Sequence, residues 1–286
     1  MSHFLTLVAA NNNLNHDHFD LLGELNTTPT WLENDKAADF DIPKALTIDE
    51  MKKLREKFDD DKIDIFCTRA EGREKTLFLA DMDSTIVTSE TLDELGAQAG
   101  LKEKIAKITE RAMRGEIDFQ GALKERVNML TDLPAETLEK TLNKTEISEG
   151  ARSLLKKLKN QGVFCVLVSG GFTFFTNAIA DKLNFDAHHG NVLQIQDGKL
   201  TGNVQEPILD KNAKLNFLKL YCEELSLDLD ETIAIGDGAN DLPMLEAAGL
   251  GIGYHPKPLL EDQLLNCIRH TNLTSVLYMQ GYSEIS

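Results

Sequence analysis

The sequence predicts an α/β protein: a mostly parallel sheet with an inserted four-helix subdomain, preceded by a small α+β domain. Three observations predict it. Short, largely apolar runs at residues 77–80, 163–168 and 232–235 each stop at a loop of Asp, Ser or Gly, and helix-periodic sequence follows each one. That is the pattern of strands buried on both faces and joined by helical crossovers. Four consecutive helical stretches, at about 90–147, separate the first of these strands from the next. Residues 1–73 differ in character from the rest, with an Asn-rich segment at 11–15 and then Thr28-Pro29-Thr30.

In chain order, the apolar run at 4–10 passes into Asn11-Asn12-Asn13 with no basic leader, which makes a poor signal peptide. Thr47 can N-cap a helix with Glu50 three residues on, a capping box, and Met51, Leu54 and Phe58 supply its apolar face. Asp59-Asp60-Asp61 ends that helix, and residues 63–67 fit a strand. His16 and His18 read as solvated loop residues rather than metal ligands, and the segment holds no cluster assignable to chemistry. After the strand at 77–80, helices are expected at 90–101, 102–114, 119–130 and 134–143, with Pro134 in a first turn. A helix at 149–160 leads through Gly162 to the strand at 163–168, where Ser169-Gly170-Gly171 opens another helix. Residues 192–204 fit a hairpin around Asp197-Gly198. A helix from about 210 to 225 precedes the strand at 232–235, a loop to Asp241, a helix to Ala248 and a strand at 250–252.

Composition narrows the function classes. A chain of 286 residues, 42% hydrophobic and 27% charged, can bury a substantial globular core. With 47 acidic against 30 basic residues its net charge is -17, which argues against nucleic acid and anionic membrane surfaces as partners. An anionic substrate would therefore be held by local cations, backbone N–H groups or a metal. No run of apolar residues is long enough to span a bilayer. Cys67, Cys165, Cys222 and Cys267 lie far apart without a C-x-x-C pair, as expected of buried free thiols in a cytoplasmic protein. Nothing in the sequence fixes an oligomeric state.

The chemistry concentrates at strand ends. Asp81 and Asp83 sit at i and i+2 where the first strand runs out, the edge at which open α/β sheets bind ligands. With no Lys or Arg nearby in sequence, a bound cation would offset their repulsion. Asp, Ser and Thr are also favoured in turns and caps, so Asp81 to Thr85 alone leaves a plain turn open. At Ser169-Gly170-Gly171 the absent Cβ atoms let N–H groups turn toward an oxyanion at a helix start. Lys214 lies on the helix leading to the last acidic loop, where it could pair with a phosphate oxygen and a carboxylate. That loop, Gly236-Asp237-Gly238-Ala239-Asn240-Asp241, offers hard oxygen donors suited to Mg²⁺ and lacks the regularly spaced acids of a calcium loop.

Asp81-Met82-Asp83-Ser84-Thr85, Ser169-Gly170-Gly171, Lys214 and Gly236 to Asp241 resemble, in order, the four motifs of the haloacid-dehalogenase superfamily. From about Thr76 onward the chain is more closely similar to the phosphoserine phosphatases, through Glu90, Arg111-Ala112-Met113-Arg114-Gly115, residues 119–127 and residues 169–172. The resemblance implies a Rossmann-like core at 74–286, with a helical cap at about 90–147, after a domain at 1–73 of unassigned role. It implies Mg²⁺-dependent hydrolysis of O-phospho-L-serine, the last step of serine biosynthesis; the alternative is a phosphatase or phosphotransferase acting on a related phospho-amino acid such as phosphothreonine or phosphohomoserine. By the same resemblance Asp81 is the nucleophile and Asp83 the general acid/base. Mg²⁺ lies on the Asp81 carboxylate, the Asp83 carbonyl and Asp237, supported by Asp241. Ser169, Gly170, Lys214 and Asn240 hold phosphate, Arg126 and Glu90 hold the substrate's carboxylate and ammonium, and Met113 and Phe119 close an apolar lid.

Overall fold

The computed structural model describes residues 2–25, 27–113, 116–209, 212–283 and 285, with backbone alone at 110, 112 and 113. The first unit runs β1 (His3–Ala9), α1 (His16–Asp20), β2 (Thr30–Glu33), β3 (Ala37–Ile42), α2 (Ile48–Glu56) and β4 (Ile63–Arg69). Its strands form an antiparallel sheet in the order β2-β3-β1-β4. Strand alternation gives that sheet two buried faces. Leu5 and Leu7 pack with Phe40, Met51, Phe58 and the helices, while Val8, Leu32, Ala37 and Phe66 join the core of the second unit. The Thr47–Glu50 capping box forms as expected, with Met51, Leu54 and Phe58 buried.

His18 departs from expectation. It is buried on α1, and its Nδ1 accepts from the Asn15 N–H at 3.1 Å, completing a cap rather than facing water.

The second unit begins with β5 (Leu77–Asp81) and a single wide turn at Met82–Ile86, in which Ser84 takes a left-handed φ of 55°. The helices α3 (Thr91–Gln98), α4 (Lys102–Met113), α5 (Phe119–Asn128) and α6 (Glu136–Leu142) follow. Pro134 lies just before α6, bridging to Lys199, instead of inside its first turn. Alternation then resumes with α7 (Ala151–Asn160), β6 (Phe164–Phe172), α8 (Thr173–Leu183), β7 (Ala187–Asn191) and the hairpin β8 (Leu193–Gln196) to β9 (Lys199–Val204). The chain finishes through α9 (Ala213–Leu225), β10 (Thr232–Gly236), α10 (Leu242–Ala247), β11 (Leu250–Tyr254), α11 (Pro258–Glu261), β12 (Cys267–Ile268) and α12 (Ser275–Met279). Residues 210 and 211, expected to start α9, lie outside the described residues.

The main sheet is parallel throughout, in the order β12-β11-β10-β5-β6-β7. Phe78 and Ala80 face the side covered by α7 and α8, while Leu77 and Leu79 face α9 and α10. Burial on both faces is why β5 reads as an unbroken apolar run. From β5 the chain builds outward through β6 and β7, then returns to add β10 on the other flank. The order therefore reverses between β5 and β10, and a ligand crevice is expected beyond the carboxyl ends there.

The two units share a dense polar seam. The Arg73 guanidinium donates to both Asp39 oxygens at 2.6 and 2.8 Å and to the Met279 carbonyl at 2.8 Å. Buried Asp64 accepts from the Thr271 N–H at 2.9 Å and hydroxyl at 2.6 Å, and Asn266 exchanges two hydrogen bonds with the backbone of Cys67.

Candidate active site

At the switch point the ends of β5, β6 and β10 and the first turn of α9 converge on one cavity of about 360 Å³. Asp81, Asp83, Glu90, Phe119, Arg126, Ser169, Gly170, Lys214, Asp237 and Asn240 all line it. Of the site residues expected from sequence, Asp241 lies in contact just behind that wall, and the Met113 side chain lies outside the described residues.

Carboxylate oxygens of Asp81, Asp237 and Asp241 come within 4.8 Å of one another, and all three residues are buried. Lys214 Nζ lies 2.7 Å from Asp81 Oδ1 and also bonds Asp241. Asp241 is anchored from its own loop, its Oδ2 accepting from the N–H groups of Asp237 at 3.1 Å and Gly238 at 3.0 Å. Gly236 makes this possible, because a Cβ there would collide with the Asp241 side chain. This trio of hard oxygen donors fits a divalent ion such as Mg²⁺. It places Asp241 in the cluster itself, whereas the Asp83 carboxylate is engaged elsewhere.

Asp83 Oδ1 accepts from the Thr91 N–H and Oδ2 from the Ser169 hydroxyl, both at 2.8 Å. The Ser169 oxygen in turn accepts from the Gly171 N–H at 2.8 Å. Here the structure corrects the expected helix start. Strand β6 continues to Phe172 and α8 begins at Thr173, so Ser169 to Gly171 lie at a strand end with an irregular register and do not open a helix. The glycines serve close approach instead: the Phe119 ring sits over Gly170, and Asp83 Oδ2 would press on a Cβ at Gly171.

Burial dominates the electrostatics. It raises the Asp81 carboxyl well above the usual carboxylate range, with Asp241 reinforcing the shift and Lys214 opposing it. Asp83 is also raised by burial, although the Thr91 and Ser169 donors favour its charged form. Burial works against the Lys214 charge, yet Asp241 and Asp81 hold its ammonium above the ordinary lysine range. Asp237, raised by burial, is opposed by Lys257, whose Nζ lies 2.9 Å from Asp237 Oδ2.

In the same cavity Glu90 precedes α3 and accepts from the Ser84 hydroxyl at 2.9 Å, while Arg126 comes from α5. Phe119, Leu92, Ile117 and Leu123 give the cavity its apolar wall. Sequence reasoning missed Lys257, Thr109 and Ile117 from this lining. For Lys257 the available signal was its setting between Pro256 and Pro258 just after a buried strand, a stiff segment at the carboxyl edge of the sheet.

A family model described as haloacid dehalogenase-like hydrolase matches residues 78–246. A phosphoserine phosphatase of Methanocaldococcus jannaschii is 42% identical over 205 residues, covering 72% of this chain and 97% of that protein. The chain belongs to the haloacid dehalogenase-like hydrolases, among the phosphoserine phosphatases. Solved structures agree in fold. An HAD family hydrolase from Salmonella enterica subsp. enterica serovar Typhi superposes with a TM-score of 0.88 at 28% identity, over 97% of this chain and 98% of that one. A substrate-bound phosphoserine phosphatase structure aligns with a TM-score of 0.67 at 41% identity, over 72% of this chain and 98% of the other. The first of these likenesses includes the antiparallel sheet as well as the parallel one. Phosphatases of this family generally use a divalent metal. No helix among the described residues is long and apolar enough to cross a membrane.

Proposed function

We propose that this chain hydrolyses O-phospho-L-serine to L-serine and phosphate, with Mg²⁺ as the divalent ion and an aspartyl-phosphate formed on Asp81. One observation carries the reading. A single cavity is lined both by a phosphoryl-transfer set, Asp81, Asp83, Ser169, Lys214 and Asp237, and by an acid and a cation, Glu90 and Arg126. Phosphoserine needs that pairing, since its ammonium and carboxylate sit at a fixed separation on one carbon.

The Asp81 carboxylate attacks phosphorus, and the bond from phosphorus to the seryl oxygen breaks. Asp83, whose burial favours the protonated form, gives its proton to the departing oxygen. It then takes a proton from the water that attacks the Asp81 phosphate, and inorganic phosphate leaves. Lys214 steadies Asp81 and offers positive charge to the phosphoryl oxygens, with Ser169, the Gly170 backbone and Asn240 as further donors. Asp81, Asp237 and the Asp83 carbonyl would hold Mg²⁺, with Asp241 beside them. When bound, the ion supplies positive charge to the phosphoryl oxygens and keeps Asp81 ionised. Phe119, whose ring sits over Gly170, shields the reacting atoms from bulk water.

We place the domain boundary near residue 73, between the end of β4 and the start of β5, with the cap at about 90–147. The reaction fits the final step of serine synthesis. The four cysteines are all buried and free, which supports a reducing cytoplasm as the compartment. The test is phosphate release from O-phospho-L-serine with and without Mg²⁺, beside O-phospho-L-threonine. Release that depends on Mg²⁺ and prefers phosphoserine, and that Asp81→Asn abolishes without unfolding the chain, is the expected result. Retained turnover in Asp81→Asn removes Asp81 as nucleophile.

A further inference from the structure

Among the described residues, Lys257 is the cation lining the cavity that the proposed reaction leaves unused. Its backbone is pinned: its N–H donates to the Asp237 carbonyl at 2.9 Å, prolines flank it, and its own carbonyl starts α11 by accepting from Leu260 and Glu261. Its side chain lines the cavity and is 53% exposed. The ammonium spans two acids, 2.9 Å from Asp237 Oδ2 and 3.9 Å from Glu90 Oε1.

The division of labour between the two lysines is uneven. Lys214 is buried and bonds two of the three clustered carboxylates, Asp81 and Asp241. Asp237, itself only 8% exposed, takes its ion pair from Lys257. A buried carboxylate facing two others stays ionised only beside a cation, and Lys257 is the ammonium paired with Asp237.

We propose that Lys257 is the displaceable counter-ion of the metal site, holding the Asp237 carboxylate until a divalent ion competes it away, and thereby setting how tightly that ion binds. The displaced ammonium needs no new backbone conformation, because its half-exposed side chain can turn toward solvent. This inference rests on the metal reading given above and makes Lys257 a positioning residue rather than a catalytic one.

The experiment is calorimetric titration of Mg²⁺ into EDTA-stripped, dialysed protein, with thermal unfolding followed in parallel. Lys257→Met removes the competitor and should tighten Mg²⁺ by roughly three- to tenfold, the scale of a half-exposed ion pair acting against a doubly charged ion. The same variant should melt earlier than wild type in EDTA and regain most of the difference in saturating Mg²⁺. Lys257→Arg, which keeps the charge, should bind Mg²⁺ much as wild type does. Unchanged or weaker Mg²⁺ binding by Lys257→Met overturns the inference. Asp237→Asn separates the two levels: if it binds Mg²⁺ normally the metal reading itself fails, and if it loses the ion while Lys257→Met is unaltered, only the role of Lys257 fails.

Discussion

Replacing Asp83 by Asn removes a proton carrier while leaving the shape of the site in place. The amide oxygen can still accept from the Thr91 N–H, and the amide nitrogen can donate to the Ser169 oxygen, whose hydroxyl now donates the other way. A neutral amide also spares the neighbouring acids the repulsion of an ionised Asp83, which helps raise both Asp81 and Glu90. The variant should therefore fold with stability within about 1 kcal/mol of wild type. Its turnover should not survive. A seryl oxygen expelled without a proton is a poor leaving group, and losing positioned acid–base catalysis costs about 10²–10⁴-fold, or roughly 3–5 kcal/mol of barrier. A substrate that needs no proton discriminates the two steps. With p-nitrophenyl phosphate the first step no longer depends on Asp83, while hydrolysis of the aspartyl-phosphate still does. Stopped-flow measurement should then show a burst of about one equivalent of p-nitrophenolate followed by slow turnover. A loss of less than tenfold on phosphoserine, or equal impairment of both phases with no burst, would refute the assignment of Asp83 as the acid and base.

Arg126→Ala should lower kcat/KM for phosphoserine by roughly 100-fold, the scale of a lost charge-assisted pair, and leave O-phosphoethanolamine almost unaffected. Equal losses on both esters would dissociate Arg126 from the substrate carboxylate. Arg73→Met leaves Asp39, 4% exposed, without its guanidinium, and urea unfolding should show a loss of about 3–5 kcal/mol. A change below about 1 kcal/mol would mean that the seam between the units is not held there. His189 stacks on Phe217 with ring centroids 3.8 Å apart and meets the Tyr221 hydroxyl at 2.8 Å; burial, with His188 adding, lowers its pKa. The unfolded chain then binds this proton more readily than the folded one. The stability that neutral His189 contributes is complete above about pH 6.5 and is lost as pH falls toward its lower folded value. In His189→Gln that part of the pH dependence of the urea midpoint should vanish, and an unchanged profile would remove His189 as its source.

The legible and illegible parts of this molecule divide along one physical line. Strands β5, β6 and β10 are buried on both faces by helices, so each carries a short apolar run, and each run ends where its chemistry begins; the switch point then brings Asp81, Ser169 and Asp237 together without further instruction. Lys214 could be placed because a helix leads directly into the last acidic loop. What could not be read depended on pairing between distant segments. Strands β1 to β3 carry Thr6 and Asp39 inside the sheet, where polar residues argue against burial until Arg73 arrives from beyond β4 to bond both. His18 looks solvated until the cap at Asn15 encloses it. Lys257 has the same character: an unremarkable lysine between two prolines, it becomes a partner of Asp237 only because β11 lies beside β10 and its exit loop crosses the same sheet edge. A charge can be counted from sequence, but whether it is spent depends on which opposite charge the fold delivers to it. That is why the acids of this site were visible before the cation that balances Asp237.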